Sequence, residues 1–388
     1  MTDISLAAAK KLHQETFFVD THADTPQRFV DEGWGFTDPA LNGGHISLSS
    51  ARAGGLDAEF FAIWAEPTQW KGQYAHRTLQ LIDGVLEQAR RHSNEMKLCT
   101  NVQEILATRA AGKFCALMGI EGGHSIEADL GLLRVFYKLG VRYMTLTWSN
   151  SNEWADSSGD LDDTSVIHHN GLSEFGRDVV REMNRLGMMV DISHVSDKTF
   201  WDVMDTSTSP IIASHSSART LTAAPRNLTD EMMRAIAEKD GVVMVNFFPA
   251  FIDEAWRSAW NEQRSERMVA YQALEEKFSA KKLPVPYFEF LKIDQAFAKA
   301  FPRAPLSSLV DHFDHAIRVA GIDHVGFGTD FDGFATLPEE IDSAADLPKV
   351  SAALLERGHS ENDLKKLLGG NLLRVFGEIE RRAGRSLG

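Results

Sequence analysis

The stretch Ser173-Glu-Phe-Gly-Arg-Asp-Val-Val-Arg-Glu-Met-Asn-Arg-Leu186-Gly187-Met-Met-Val-Asp-Ile192-Ser-His194 holds one helix-to-strand unit. Ser173 suits an N-cap, since its hydroxyl can take up an orphan N–H of the first turn, and Glu174 suits the positive end of the helix. Gly187 suits the left-handed residue that ends a helix. Met188–Ile192 is then a short, nearly continuous apolar run, the habit of a strand buried on both faces in a parallel sheet. A histidine stands where the run stops.

Working outward, similar apolar runs lie at Phe17–Val19, Ala58–Trp64, Phe114–Ile120, Arg142–Trp148, Pro210–Ser214, Gly241–Phe247 and His324–Gly328. Helix-period segments at Asp129–Leu139 and Thr229–Glu238 precede two of them in the same way. Eight strands alternating with helices predict an α/β fold, a (β/α)8 TIM barrel. The rival, an open doubly wound sheet, lacks support because no G-x-G-x-x-G follows the first strand, and no P-loop is present.

One segment breaks the repeat. Between Phe247 and His324 the chain runs through the charged, helical Ala255–Lys282 and then Leu283-Pro-Val-Pro-Tyr287. It reads as a helical insertion between strands seven and eight, about residues 250–305, on one barrel domain spanning 1–388. It is too short to build a core of its own, and it reads as a solvated excursion rather than a substrate-closing lid.

Composition narrows the function. Hydrophobic residues make up 43% of the 388 and charged residues 24%, so a packed globular domain is expected rather than a disordered chain. With 40 Lys and Arg against 55 Asp and Glu, the net charge of −15 argues against nucleic acid or an anionic membrane surface as partner. Cys99 and Cys115 are the two cysteines and form no C-x-x-C pair, so neither a disulfide framework nor a cysteine zinc site is expected. The sequence shows no signal peptide, no lipid-anchor signal and no run near the ~18 apolar residues of a membrane span, which reads as a cytoplasmic protein.

Ligand-type side chains stand at several strand ends. His22 and Asp24 follow the first run two residues apart, a spacing that aims both at one point. Glu121 follows the third run and precedes Gly122-Gly123, which allow a sharp turn and leave room beside the carboxylate. His194, His215 and Asp330 end the fifth, sixth and eighth runs. Singly, each has an ordinary reading as a core, cap or loop residue. Together, at the C-terminal mouth where barrel enzymes keep their chemistry, they suit a metal site. Three histidines and three carboxylates exceed one tetrahedral site and fit two metals about 3.5–4 Å apart, sharing a bridging carboxylate and hydroxide. Such a site favours hydrolysis of a carbonyl or phosphoryl compound. Asp332 reads as a turn residue before Gly333, and His312 and His315 as residues at the wrong end of the barrel.

The chain resembles the membrane (renal) dipeptidase family of the metal-dependent amidohydrolase superfamily. The resemblance rests on Asp20-Thr-His-Ala-Asp24, Glu121-Gly-Gly-His-Ser-Ile126, Gly187–Ser196, Ser214-His-Ser-Ser-Ala218, Arg226-Asn227 and Gly321–Gly333. It implies a distorted barrel with two divalent ions, usually zinc, that cleaves dipeptides and tolerates a C-terminal D-residue. It implies His22 and Asp24 on one ion, His194 and His215 on the other, and Glu121 bridging. Asp330 would shuttle the proton beside the activated water, and Arg226 would grip the substrate carboxylate, a task that suits its bidentate fork. A homodimer is implied by the resemblance alone.

Two positions depart from the best-known members. Trp148 stands where they have a histidine that polarises the scissile carbonyl, and Phe251 where they have a tyrosine. Trp148, Asn150 or Asn152 is expected to act instead as oxyanion donor, and Asp191 as an orienter of His194. The alternatives are an amidohydrolase acting on an N-acyl amino acid, lactone or cyclic amide, and a metal-binding homologue without catalysis.

Overall fold

The expected strands pair around a barrel in the computed structural model, which describes residues 2–39, 41 and 43–386. Residues 1, 40, 42, 387 and 388 of the expected single domain lie outside the described set. The strands are β1 (Val19–Ala23), β2 (Ala58–Trp64), β3 (Met96–Leu98), β4 (Phe114–Glu121), β5 (Val141–Thr145), β6 (Met189–Asp191), β7 (Ile211–Ala213), β8 (Val242–Val245) and β9 (Val325–Phe327). Eight of them follow the order β1-β2-β4-β5-β6-β7-β8-β9, each parallel to the next. This is a nearly closed (β/α)8 barrel.

Two differences from expectation have local causes. β3 is an extra strand on the edge of β4 that β5 takes up from Met118 onward. Three residues are too few for periodicity to register. β1 also begins where its apolar run was expected to stop. Asp20, Thr21 and His22 belong to the strand and are fully buried despite their polarity.

The seam between β1 and β9 explains the distortion. The strands meet at the bridge Ala23 to Phe331, and side chains add to the main-chain bonds there. Asp20 Oδ1 accepts the Thr329 N–H at 2.8 Å, and Asp20 also accepts the Thr329 hydroxyl. Thr21 Oγ1 donates to Phe327 O at 3.0 Å, and Asp330 N donates to His22 O at 3.0 Å. The strands are thus closed by the same segment that carries His22 and Asp330.

The capping logic holds at each predicted helix. Ser173 accepts from Gly176 N, Asp129 from Gly131 N and Thr229 from Met232 N, and Gly187 takes φ 80°. Alternate residues of the strands feed two cores. One packs against the surrounding helices through residues such as Phe61, Met118 and Val190. The other joins Phe60, Leu117 and Met244 to Leu372, Val375 and Phe376 of the C-terminal helix Asn371–Ser386.

The insertion forms helices Pro249–Ile252, Glu254–Glu262, Arg264–Ser279 and Tyr287–Ala298. Val269 and Leu283 are exposed, as a solvated excursion requires. Its other side is not solvated: Trp256, Trp260 and Tyr287 border a 380 Å³ cavity at the barrel mouth. The insertion is therefore a wall of the site, which charge and helical period alone did not reveal. Among the described residues no helix is long and apolar enough to cross a membrane.

Candidate metal centre and active site

The six strand-end residues meet at the mouth. His22, Asp24, Glu121, His194 and His215 are buried and Asp330 is half-buried. His22 Nε2 lies 3.4 Å from Glu121 Oε2 and 3.7 Å from Asp24 Oδ2. His194 Nε2 lies 2.8 Å, and His215 Nε2 3.5 Å, from Glu121 Oε1. The two oxygens of Glu121 thus face different imidazoles. His22 also belongs to a second group with Asp24 and Asp330, whose ligand atoms lie within 4.8 Å of one another.

Backbone geometry is bent to this purpose. His194 and Asp330 hold left-handed conformations, φ 68° and 63°, which cost a residue with a Cβ about 1–3 kcal/mol. A Cβ at Gly333 would lie 2.2 Å from Asp330 Oδ1 and 2.5 Å from Asp24 Oδ2, so only glycine leaves both carboxylates in place.

The electrostatics demand positive charge. Burial opposes a charge on His22, yet Glu121, Asp24 and Asp330 outweigh it and push the imidazole up to about 10. Burial, with Arg226 beside it, holds His194 down to about 3, and burial with His22 nearby holds His215 well below its ordinary value. Both are therefore neutral, the form that ligates metal. Burial also works against the Glu121 carboxylate, but His22, His194 and His215 keep it ionised well below the usual range.

His22 gives the fit test for a cation. Tyr143 OH donates to Thr21 O at 3.0 Å, so it accepts from His22 Nδ1, 2.8 Å away. That leaves His22 Nε2 buried among carboxylates without a hydrogen-bond partner. An orphaned nitrogen on His22, the neutral imidazoles of His194 and His215 and three carboxylates fit a divalent ion.

Supporting contacts correct one expectation. Asp191 does not orient His194. It accepts from Ser193 N, Ser214 N, Ser214 Oγ and Thr145 Oγ1, and Ser214 Oγ lies 2.7 Å from His215 Nδ1. Asp191 therefore reaches His215 through Ser214, while Ser149 Oγ is the neighbour of His194 Nδ1 at 3.4 Å.

The expected oxyanion donors separate. Trp148 borders the cavity, its ring 6.2 Å from that of His194. Asn152 does not reach it: its oxygen caps Trp154 N and Ala155 N and its amide donates to Leu146 O. Asn150 donates to Ser151 O and is absent from the cavity wall. The loop consumes the amide of Asn152 and keeps Asn150 off the cavity wall, so of the three Trp148 alone borders the cavity. Arg226 is buried behind the cavity, donating to Ser216 Oγ and His215 O, with Nε unpartnered. Its guanidinium carbon lies 5.7 Å from the Phe251 ring centroid, and Phe251 borders the cavity.

Asn246 was missed. Its amide donates to Asp330 Oδ2 at 2.9 Å, and its place at the end of the seventh apolar run was the available signal. Burial pushes Asp330 up to about 6, with His22 pulling the other way. Asp332 does turn the chain at φ 63°, but it is also buried, accepting from Thr25 Oγ1 and His45 N. His312 is a buried core residue, but it accepts from Ala218 N and lies 3.2 Å from Ile252 O, in the segments that follow β7 and β8, so it is not at the far end of the barrel as expected.

The membrane dipeptidase (peptidase family M19) profile matches residues 6–387. The chain belongs to this family. It is 31% identical to Dipeptidase tcpJ of Claviceps purpurea over 87% of its own length and 70% of that protein. It is 32% identical to Dipeptidase 3 of Rattus norvegicus over 89% of its length and 60% of that protein. Among solved structures, it resembles the probable dipeptidase PvdM from Pseudomonas aeruginosa with TM-score 0.85 and 27% identity, covering 98% of this chain and 100% of that one. A metallo peptidase from Rhodobacter sphaeroides, solved with a phosphinate mimic of the dipeptide L-Ala-D-Ala, aligns with TM-score 0.74 and 26% identity, covering 94% and 99%. Dipeptidase activity and use of a divalent metal follow from the family; the ligand assignments rest on the geometry above.

Proposed function

We propose that this chain is a binuclear-metal dipeptidase that hydrolyses dipeptides and accepts a D-residue at the C-terminal position. The observation that carries the reading is Glu121, one oxygen toward His22 and the other toward His194 and His215. His22 and Asp24 would hold one ion, His194 and His215 the other, with Glu121 shared; zinc suits this nitrogen and oxygen set. When bound, such ions polarise a carbonyl and bring the pKa of water toward neutrality.

The chain's own residues supply the rest. Asn246 fixes the carboxyl plane of Asp330, and burial places that group near the pH at which it both accepts and releases a proton. Asp330 would take the proton of the attacking water and hand it to the leaving amine. Arg226, still with an unpartnered Nε, would draw the substrate carboxylate inward. Trp148 would offer its indole N–H to the developing oxyanion. Acceptance of a D-residue is supported by the L-Ala-D-Ala mimic held by the Rhodobacter sphaeroides neighbour.

A second reading, an amidohydrolase for N-acyl amino acids, is favoured by Trp148 standing in place of a histidine. One assay separates the two. Protein stripped by chelator and reloaded with zinc should cleave L-Ala-L-Ala and L-Ala-D-Ala and leave N-acetylalanine nearly untouched. Faster release of acetate from N-acetylalanine than of alanine from the dipeptides would favour the second reading.

A further inference from the structure

The cavity bordered by Asp24, Glu121, His194 and Asp330 encloses 380 Å³, within the ~300–1,000 Å³ of small-molecule sites. Aromatic rings make up much of its remaining wall. One set is Trp64, Trp148 and Tyr287: the Trp64 centroid lies 4.8 Å from that of Trp148 and 5.2 Å from that of Tyr287. The other is Phe248, Trp256 and Trp260, with Trp256 and Trp260 stacked at 5.1 Å and Phe248 edge-on to Trp256 at 5.8 Å. No ring contact joins the two sets among the described residues, and both border the same cavity. Rings of both sets therefore wall the one cavity.

The second set is held in place. The Arg267 guanidinium lies 3.5 Å from the Trp260 ring centroid and donates to Trp260 O. Asp294 lies 3.9 Å from Arg267 Nε and accepts from Tyr271 OH. Arg267, Tyr271 and Asp294 pair among themselves here, so the insertion presents to the cavity mainly rings, with the Arg264 side chain beside them. Rings fixed before binding lose little freedom when an occupant arrives, and aromatic pairs add to the gain from area alone.

On the reading that this chain is a dipeptidase, we propose that the insertion builds a side-chain subsite for a large planar residue. The preferred substrates are then dipeptides carrying phenylalanine, tyrosine or tryptophan, and Trp260 and Trp256 are specificity-determining residues.

The test compares kcat/KM for Ala-Ala, Phe-Ala and Ala-Phe on the zinc-loaded enzyme. One aromatic dipeptide should exceed Ala-Ala at least about tenfold, as burial of a phenyl side chain requires. Trp260→Ala should lower that ratio several-fold, and Trp260→Phe, which keeps a ring, should restore most of it. Ala-Ala cleaved as well as both aromatic dipeptides would overturn the subsite and leave the dipeptidase reading standing. If no dipeptide is cleaved, that reading falls, and equilibrium binding of Phe-Ala, Ala-Phe and Ala-Ala then decides the subsite. Tighter binding of an aromatic member, weakened by Trp260→Ala, would keep it; equal binding would overturn it.

Discussion

Tyr143 lies fully buried in the barrel, yet its hydroxyl accepts from His22, a proposed metal ligand, and fixes which nitrogen stays free. Losing such a partner typically costs about 10–100-fold in metal affinity. Tyr143→Phe should therefore weaken metal binding on that scale in a competition titration against a chelator, with melting behaviour of a folded barrel. Unchanged affinity would show that His22 needs no orienter. The convergence of the six strand-end residues was legible because each follows or ends an apolar run and they share one mouth. Tyr143 was not, since inside the run Arg142–Trp148 it reads as another core ring. Asn152 shows the opposite error, for a polar residue near the mouth reads as a donor until the loop is seen to use both ends of its amide. Arg226 carried no signal beyond the resemblance.

At the scale of elements, the β1–β9 seam is closed by Asp20 and Thr329 as well as by backbone pairing. Thr329→Val keeps the shape and deletes one hydrogen bond to a fully buried carboxylate. It should destabilise the protein by about 1–3 kcal/mol in urea unfolding, the cost of leaving such a group underpaired. It should also depress hydrolysis, because Asp330 follows Thr329 directly. An unchanged midpoint would mean the seam does not depend on the hydroxyl. Hydropathy placed the edges of β1 wrongly for the same reason: its pairing residues are polar and their partners lie some 300 residues away. The insertion was found as an element, but its role was missed. Its few tryptophans are diluted by charge along the sequence and converge only in space.

For the whole molecule, eight alternating units gave the barrel its outline, and the caps of the three helices read from the sequence agreed with it. Acid stability is also set at this scale. His312 is buried in the core and held down to about 4 by desolvation, although its Ile252 carbonyl neighbour pulls the other way. The unfolded chain takes up that proton below about pH 6.5 and the folded chain only near pH 4, so stability is lost as pH falls through this window. His312→Gln should then lose less stability than the parent between these pH values, by up to about 1.4 kcal/mol per pH unit. Parallel stability curves would contradict a neutral His312. The net charge of −15 has a related meaning, because three of its carboxylates converge on His22 and the proposed metal site rather than on solvent. The most direct test of that convergence is anomalous diffraction at the zinc edge from crystals of the zinc-loaded protein. Two peaks are predicted, one beside His22 and Asp24 and one beside His194 and His215, with Glu121 between them. A single peak, or none touching Glu121, in protein that still hydrolyses dipeptides would contradict the account.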